Sequence, residues 1–328
     1  MNKLFLLAAI SFATIILGVA IGSVYIPLTY IVAIFFGRNS DPALQAIIMD
    51  IRLPRVLMAY VSGAGLSLGG VIMQSVLKNP LASSFTIGTS SGAAVGASIA
   101  IMLGTTIFGF FTVPIFGFIF AMFTVFTAIA LAMKIDNLQN ITIILIGMAI
   151  SFFAGAALTI ILALNADTMH RLVFWQFGSF ASVGFMQVWF IMGVFILIST
   201  LVLFKHKEMD ILTLDDTTAT SIGLNVAANK WYLLFCSAVI TGVIVSLSGI
   251  IGFVDLFTPH LARRFVGASH RFVIPMAAMI GGGFMVLCDM AARSIFAPVE
   301  LPVGAITAAI GGPFFIYLYF YGRQHAGA

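Results

Sequence analysis

The sequence contains very little charge. Only 8% of its 328 residues are Asp, Glu, Lys or Arg, whereas 61% are hydrophobic. A soluble domain carries about a quarter charged residues, so this chain cannot present enough polar surface to stay dissolved in water. The composition excludes an ordinary soluble enzyme and predicts a protein surrounded by the lipid bilayer. The formal net charge of +4 then reflects the positive bias of cytoplasmic loops, and no nucleic-acid partner is expected.

Several chemical devices are also missing. No Gly is followed by Lys, so the phosphate-binding loop of many ATPases is absent. The five histidines show no zinc-ligand spacing, and Cys236 and Cys288 lie in apolar stretches as small hydrophobes. The segment Gly88–Gly92 matches Gly-x-Ser-x-Gly, but no strand precedes it and its small residues favour close helix packing. We expect no catalytic residue, and no metal or cofactor bound by this chain.

Long uncharged runs dominate the sequence. A helix needs about 20 apolar residues to cross a bilayer. A shorter piece, Leu256–Val266, contains Pro259 and cannot cross alone, so we expect a half-helix packed inside the protein. We predict an all-α polytopic membrane protein with about ten transmembrane helices, counting the half-helix, and one domain over residues 1–328. The other nine runs are 4–26, 56–77, 85–103, 112–133, 141–164, 186–204, 231–254, 272–292 and 302–321.

Lysine and arginine set the expected orientation, because they concentrate in cytoplasmic loops. With both termini in the cytoplasm, every lysine falls inside. The long hydrophilic inner loop, about 205–230, is either a solvated connector or a docking surface for a cytoplasmic partner. The basic residues left on the outside are Arg38, Arg52, Arg55, Arg171 and Arg293.

A set of short motifs, in the expected order over nearly the whole chain, resembles the FecCD family of ABC importer permeases. This family includes cobalamin, haem and ferric-siderophore permeases. Any one motif is weak, but the set is specific. The motifs are Ile51-Arg52-Leu53-Pro54-Arg55, the glycine-rich stretch 63–70, Asn79-Pro80-Leu81-Ala82, Trp175-Gln176-Phe177-Gly178-Ser179, Pro259-His260 with Arg263, and Glu300-Leu301-Pro302.

The resemblance implies the permease subunit of a type II importer in the bacterial cytoplasmic (inner) membrane. Its partners would be a second permease subunit, identical or paralogous, a cytoplasmic ATPase dimer that binds ATP and Mg, and an extracytoplasmic substrate-binding protein. The implied cargo is an iron–siderophore, or haem or cobalamin. The alternative is an ion-coupled secondary transporter with Asp255 and Asp289 as ion sites, which would depend on an ion gradient rather than an ATPase.

At the outer face, family arginines that match Arg52, Arg55 and Arg293 meet acidic residues of the binding protein. The planar guanidinium suits carboxylates, although contact with lipid headgroups is the alternative. Asp289 lies four residues before Arg293, so a structural ion pair along one helix is expected. The segment with Trp175, Gly178 and Ser179 is either a short gate helix or an interfacial anchor.

On the inner face, the stretch Leu212–Leu224 resembles the coupling loop of the family. We expect a structural role for the helix-ending turn at Asn79-Pro80, and also for Pro259. The predicted ATPase-coupling residues, among which the small Ala219 and Gly223 would seat the loop in a groove, are Leu212, Leu214, Ala219, Gly223 and Leu224.

Asp255 stands where the family usually has Gly. An ionised carboxylate in a membrane is costly, by about 2.5–3.5 kcal/mol on insertion scales, so it should not face lipid. Two predictions remain open from the sequence. Asp255 lines the transport pathway and helps to select cargo, or it caps the N-terminus of the half-helix.

Overall fold

The computed structural model describes residues 2–22, 26–35, 41–104, 106–165 and 169–325. Arg38, one of the outer basic residues, lies outside them. Every regular element in these ranges is a helix, which confirms the all-α prediction. Seven helical stretches among them are long and apolar enough to cross a membrane, as expected of a polytopic chain. The count of ten crossings and the side on which the termini lie stay predictions.

Nine long helices of 15 to 25 residues overlap the nine predicted runs, and six shorter α-helices lie between them within the described residues. A π-helix (Ile47–Arg52) and two 3₁₀ helices (Ser84–Ile87 and Gly109–Phe111) complete the elements. The α-helices are α1 (Asn2–Ala20), α2 (Leu28–Phe35), α3 (Pro42–Ala46), α4 (Leu53–Val76), α5 (Thr89–Leu103), α6 (Thr112–Asp136), α7 (Asn140–Leu164), α8 (Met169–Gln176), α9 (Phe185–Phe204), α10 (His206–Leu212), α11 (Asp216–Ser221), α12 (Val226–Ser248), α13 (Val254–Val266), α14 (His270–Ser294) and α15 (Val303–His325).

The second membrane-crossing stretch starts earlier than its uncharged run. Helix begins at Pro42, where Asp41 accepts a hydrogen bond from the backbone N–H of Ala43 (3.0 Å), and continues without a break through the π-helix into α4. The resulting helical stretch is 35 residues long. Pro54 stands within this stretch, just after the π-helical turn Ile47–Arg52, an irregularity of the kind that accommodates a residue without an N–H. Charged residues at positions 50, 52 and 55 hid this continuity in the sequence.

Helix α4 is the central element of the bundle. It contacts α14, α12, α13, α9 and α1, and nearly all of its residues are buried. By contrast, α7 and α9 leave most of their surface uncovered. The buried surface of α4 includes small and polar residues such as Ser62, Ser67 and Gln74, which are typical of helix contacts inside a membrane bundle, whereas the almost wholly apolar α7 and α9 suit contact with lipid. The half-helix α13 is 13 residues long, about 20 Å at 1.5 Å per residue, and packs on α4 and α14.

The contact between α4 and α14 depends on glycine. A Cβ added at Gly63 would overlap the carbonyl oxygen of Gly281, and a Cβ added at Gly281 would overlap the Ser67 hydroxyl. Ser67 Oγ donates to the carbonyl oxygen of Gly63 at 2.7 Å, so it needs no partner outside its own helix. Small residues at a crossing let two backbones approach closely, which is a main source of helix association in lipid.

We predict that Gly63→Ala destabilises the protein by about 1–3 kcal/mol, the usual cost of overpacking a close contact. The measurement is the thermal unfolding midpoint of the detergent-solubilised protein. Gly193→Ala on α9 is the matched control, because no atom outside its own helix lies within 4 Å of the added Cβ. There the change should be neutral or slightly stabilising, since alanine favours helix. Equal midpoints for both variants would contradict the close α4–α14 contact.

Candidate functional site

Five charged side chains meet near the start of α4 and the end of α14; we call them the outer cluster (Arg52, Arg55, Asp289, Arg293 and Glu300). Arg55 Nε donates to Asp289 Oδ1 at 2.9 Å, and its Nη1 donates to both oxygens of Glu300 at 3.0 Å. Arg293 Nε lies 3.3 Å from Asp289 Oδ2, four residues back along α14. Asp289 is fully buried, whereas the Glu300 side chain is 43% exposed.

Two of these arginines close the end of α1. Arg52 Nη1 donates to the carbonyl oxygens of Val19 (2.9 Å) and Ala20 (3.0 Å), and Arg293 Nη2 donates to that of Gly18 (2.5 Å). The last carbonyls of a helix have no partner inside the helix and carry its partial negative charge. Cationic side chains therefore satisfy and stabilise the C-terminus of α1.

The three arginines do not present free guanidinium groups to the outside. Arg52, Arg55 and Arg293 are only 6%, 6% and 4% exposed, because each guanidinium binds α1 carbonyls or Asp289. These three residues therefore do not form an exposed basic surface in this structure. The side chain of the outer cluster that reaches the surface is the acidic Glu300. A docking role for the arginines stays a prediction.

The segment predicted as a gate is fastened by its backbone. Ser179 N–H donates to the carbonyl oxygen of Ser248 at the end of α12 (2.9 Å), and the carbonyl oxygen of Gly178 accepts from Val303 N–H at the start of α15 (3.1 Å). Gly178 has φ +72°, a conformation that glycine adopts without steric cost. Three elements that are distant in sequence thus meet at one end of the bundle.

An open cleft of about 470 Å³ lies beside this segment, between α5, α6, α8 and α12. Trp175 and Ser179 line it, as do Ser182 and the buried Ser246. Arg171 is the charged side chain among the described lining residues. The cleft therefore offers one guanidinium, several hydroxyl groups and one indole to a ligand.

Asp255 has a role that neither sequence prediction described. Its carboxylate is buried (1% exposed), and Oδ2 accepts from Ser83 Oγ at 2.5 Å and from Ser84 N–H at 2.9 Å. It thus caps the 3₁₀ helix Ser84–Ile87. The N-cap of α13 is Phe253, which makes no side-chain capping bond. Asp255 is thus buried in this structure, and its Oδ2 atom accepts from the neighbouring 3₁₀ helix and from Ser83 rather than capping α13. A role in cargo selection stays a prediction.

Pro259 explains how α13 sits so close to α4. Proline has no N–H, so the carbonyl of Asp255, four residues earlier, loses its helical donor. That carbonyl lies against Gly70 of α4, where an added Cβ would overlap it. Just after the C-terminal end of α4, Asn79 forms a turn in which its Oδ1 accepts from Leu81 N–H at 2.9 Å. The exposed Pro80 follows Asn79 in this turn.

The predicted coupling residues divide into two groups. Leu212 and Ala219 are fully buried within the chain, so their side chains face the bundle and not a partner protein. Leu214 is 44% exposed and Gly223 is also exposed. Leu224 is partly buried and packs on the hydrophobic core. Helices α10 and α11 therefore turn Leu212 and Ala219 toward the bundle. The turns that follow them expose Leu214 and Gly223.

Ile222 is a residue that the sequence analysis missed. It is 60% exposed and lies beside the exposed Gly223, which has φ +94° and open space where a Cβ would be. A large apolar residue in a polar loop was the available signal, since exposed apolar residues beside polar ones mark interaction sites when they form a patch.

A buried lysine anchors α11. Asp216 accepts from Lys230 Nζ at 2.7 Å and from Lys78 Nζ at 2.5 Å. Lys230 is 1% exposed and also donates to Asn140 Oδ1 (2.8 Å) and the Leu138 carbonyl oxygen (3.2 Å). Burial raises the pKa of Asp216, but hydrogen bonds from the two lysines outweigh it, and the pKa lies below its ordinary value. Asp216 thus stays ionised and holds α11 to α4 and α12.

Comparisons with known proteins agree with this architecture. YvrB of Bacillus subtilis (strain 168), an uncharacterized ABC transporter permease, is 36% identical over 324 residues, which cover 96% of this chain and 91% of YvrB. The molybdate import permease MolB of Haemophilus influenzae is 35% identical, over 85% of this chain and 82% of MolB. Other relatives are named as permeases for cobalamin, hemin or Fe(3+)-citrate.

A solved inward-facing conformation of an ABC transporter assigned to the metal-chelate type has the same fold. It superimposes with a TM-score of 0.87 at 32% identity and covers 98% of this chain and 99% of its own. The sequence model of the FecCD transport family matches residues 9–320. This chain belongs to the FecCD transport family.

Proposed function

We propose that this chain is the membrane-spanning permease subunit of an ATP-driven importer for a metal chelate, with an iron–siderophore as the preferred cargo and haem or cobalamin as related ones. The observation that carries the proposal is the match over almost the whole length to an ABC transporter of the metal-chelate type. Relatives named for siderophore transport and iron uptake support the cargo.

The proposed assembly contains two permease subunits, identical or paralogous, in a bacterial cytoplasmic membrane. ATP and Mg bind to a cytoplasmic ATPase dimer, because this chain lacks a phosphate-binding loop of its own. A substrate-binding protein delivers the cargo on the opposite side. The whole chain acts as one transmembrane domain, whose inner coupling segment (205–225) faces the ATPase.

The cleft beside Trp175 is the proposed place where cargo first contacts this subunit. Its guanidinium and hydroxyl donors match the oxygen-rich, anionic surface of a ferric chelate, because charge-assisted bonds from arginine to oxyanions are strong and directional. The indole ring of Trp175 adds an apolar face for the organic part of the chelate. Arg171 supplies the positive charge.

We predict ATP-dependent uptake by this permease in proteoliposomes together with its ATPase and binding protein. A radiolabelled ferric siderophore should accumulate with ATP inside the ATPase-accessible compartment, and proton or sodium ionophores should leave the rate unchanged. An ATPase variant without its catalytic glutamate is the control for energy coupling. Uptake that requires an ion gradient and persists with this inactive ATPase would identify a secondary transporter instead.

The exposed apolar side chains of the coupling segment define the proposed ATPase contact. Leu214 and Ile222 point away from the bundle, whereas the anchors Lys78, Asp216 and Lys230 hold the opposite face. An apolar pair rimmed by threonine and serine side chains fits a shallow groove on a soluble partner.

We predict that a cysteine at Ile222 cross-links to a cysteine-bearing ATPase surface in membranes, and that one at Ala219 does not. Ala219 lies three residues earlier in the same segment but is fully buried, so it is a matched control. Ile222→Asp should lower co-purification of the ATPase by about tenfold, as loss of a central apolar contact does. Free solvent access at position 222 in the assembled transporter would contradict this contact.

We propose that a carboxylate of the binding protein docks on Arg55 by displacing Glu300. The Arg55 Nη1 group is held by the half-exposed Glu300, so an incoming carboxylate can replace Glu300 without exposing Asp289. This route keeps the buried ion pair intact. It agrees with the low exposure of the arginines.

Glu300→Gln should therefore strengthen binding-protein association by about two- to fivefold at low salt, the range expected for an exposed charge pair. The gain should fade at high salt because exposed charges are screened. Surface plasmon resonance over a salt series measures it, with Glu300→Asp as the charge-keeping control. Weaker binding by the Gln variant would show that Glu300 itself, and not Arg55, meets the partner.

A further inference from the structure

Helix α10 is tied to the bundle by a second acidic anchor. Asp210 Oδ1 accepts from the backbone N–H of His270 at 2.9 Å and lies 2.6 Å from His270 Nδ1. The Asp210 side chain is 38% exposed, whereas that of His270 is 1% exposed. One end of this pair thus faces the proposed ATPase side, and the other lies inside the bundle at the first residue of α14.

The imidazole ring of His270 also contacts a side chain deeper in the bundle. His270 Nε2 lies 2.6 Å from Ser75 Oγ, near the end of α4. Arg263 of α13 donates from Nη2 to Ser75 Oγ (3.4 Å) and from Nη1 to Gln74 Oε1 (2.6 Å). Gln74 Nε2 donates to the carbonyl oxygen of Leu256 at 2.8 Å, in the first turn of α13.

These side chains form one continuous polar path, which we call the inner relay (Asp210, His270, Ser75, Arg263 and Gln74). It starts on the short helix α10 and ends at the beginning of the half-helix. Leu256 adjoins Asp255, the residue that caps the 3₁₀ helix Ser84–Ile87. The relay therefore connects the coupling segment with the irregular backbone in the middle of the bundle.

The Asp–His–Ser order in the relay is not a hydrolytic triad. Ser75 is 2% exposed, and its hydroxyl lies 2.7 Å from the Val71 carbonyl oxygen of its own helix. No substrate carbonyl can reach a hydroxyl in that position, so geometry excludes acyl transfer. The remaining function of Asp210, His270 and Ser75 is to form directional hydrogen bonds between helices.

A polar path differs from apolar packing in what it can transmit. Apolar contacts are not directional, whereas a buried hydrogen bond is lost if its partners separate, at a full desolvation cost. Each link of the relay ties two different elements: α10 to α14, α14 to α4, and α13 to α4. A displacement of α10 must therefore move these elements or break a bond.

We infer that Asp210 and His270 are positioning residues of the transport cycle, which pass displacement of the coupling segment to the first turn of α13. This inference rests on the proposed function, because it assumes that an ATPase moves the segment. The relay then couples nucleotide-driven motion to the half-helix. Asp216 and the two lysines hold α11 but do not join this path.

The test uses the complete transporter in proteoliposomes. His270→Asn keeps an amide within reach of Asp210 but not of Ser75, and His270→Gln keeps the reverse, so each breaks the relay once. We expect both variants to lower the number of cargo molecules imported per ATP hydrolysed by at least about fivefold, the low end of measured coupling between sites. Glu208→Gln is the matched control on α10, because its ion pair with Lys205 stays within the loop region.

A second measurement distinguishes loss of the relay from a general structural defect. A cysteine at the exposed position His260 on α13 should change its labelling rate with ATP in the unmodified transporter and the Glu208→Gln control. It should not respond in either His270 variant. An import-to-ATP ratio and a labelling response equal to those of the control would overturn the relay. If the unmodified transporter itself imports nothing with ATP, the proposed function fails instead.

Asp210→Ala, which removes the acceptor, gives an independent test if the buried His270 variants do not assemble. Asp210 is partly exposed, so the variant should fold, and a double-mutant cycle with Gln74→Met measures coupling between the two ends. If the two residues act on a single path, the double variant should lose no more of the import-to-ATP ratio than the more severe single variant does. Losses that multiply would show two unconnected effects and contradict the relay.

Discussion

A hydrocarbon interior offers no hydrogen-bond partner, so each polar group there must find one within the protein. This constraint explains where the charged residues of the chain lie. Arg52 and Arg293 end α1, and the Asp255 carboxylate caps the 3₁₀ helix beside α13. Lys230 binds a free carbonyl at the α6–α7 turn. These three helix ends are met by a long cation or a carboxylate from another element.

The side chains that no buried polar group requires remain at the surface, where the proposed partners bind. Glu300 reaches the surface at one end because Asp289 already neutralises part of Arg55. Ile222 and Leu214 are exposed at the other end because Met209, Leu212 and Ala219 fill the inward face of the coupling segment. The residues that stand out in the sequence, such as Arg55 and Ala219, therefore hold the helices together. Their less prominent neighbours, such as Glu300 and Ile222, form the exposed surfaces.

Local signals predicted most of the fold, because the length of an uncharged run is itself the physical requirement for a crossing. Pro259 and the two adjacent arginines at 263 and 264 likewise marked the half-helix. Side-chain direction depends on packing between distant elements, and the sequence could not supply it. The spacing of Arg52 and Arg55 placed them on one helical face but could not show that α1 ends against it. Ala219 looked suitable for a groove on a partner because it is small, yet its own bundle occupies that space.

The two ends of the molecule are joined by two helices that run the whole distance between them. Helix α4 starts at the outer cluster, with Arg55 in its first turn, and ends at Gln74 and Ser75 of the inner relay. Helix α14 starts at His270 and carries Arg293 in its last turn. The close glycine contact locks the pair together midway, and α4 alone is about 36 Å long at 1.5 Å per residue.

Tightly packed helices shift as bodies rather than deform, since interiors have crystal-like density. A displacement of α10 that is passed through His270 therefore reaches α4 and α14 together, and their outer ends carry the cluster that holds Arg55. The half-helix α13 is joined differently, because a linker that ends at Phe253 with a positive φ (+72°) separates its start from the end of α12. It packs on both helices of the α4–α14 pair, and Gln74 and Arg263 form the polar contacts between α4 and α13. On the proposed function, alternation between inner and outer access requires that α13 follows α10 while the long pair tilts as one unit.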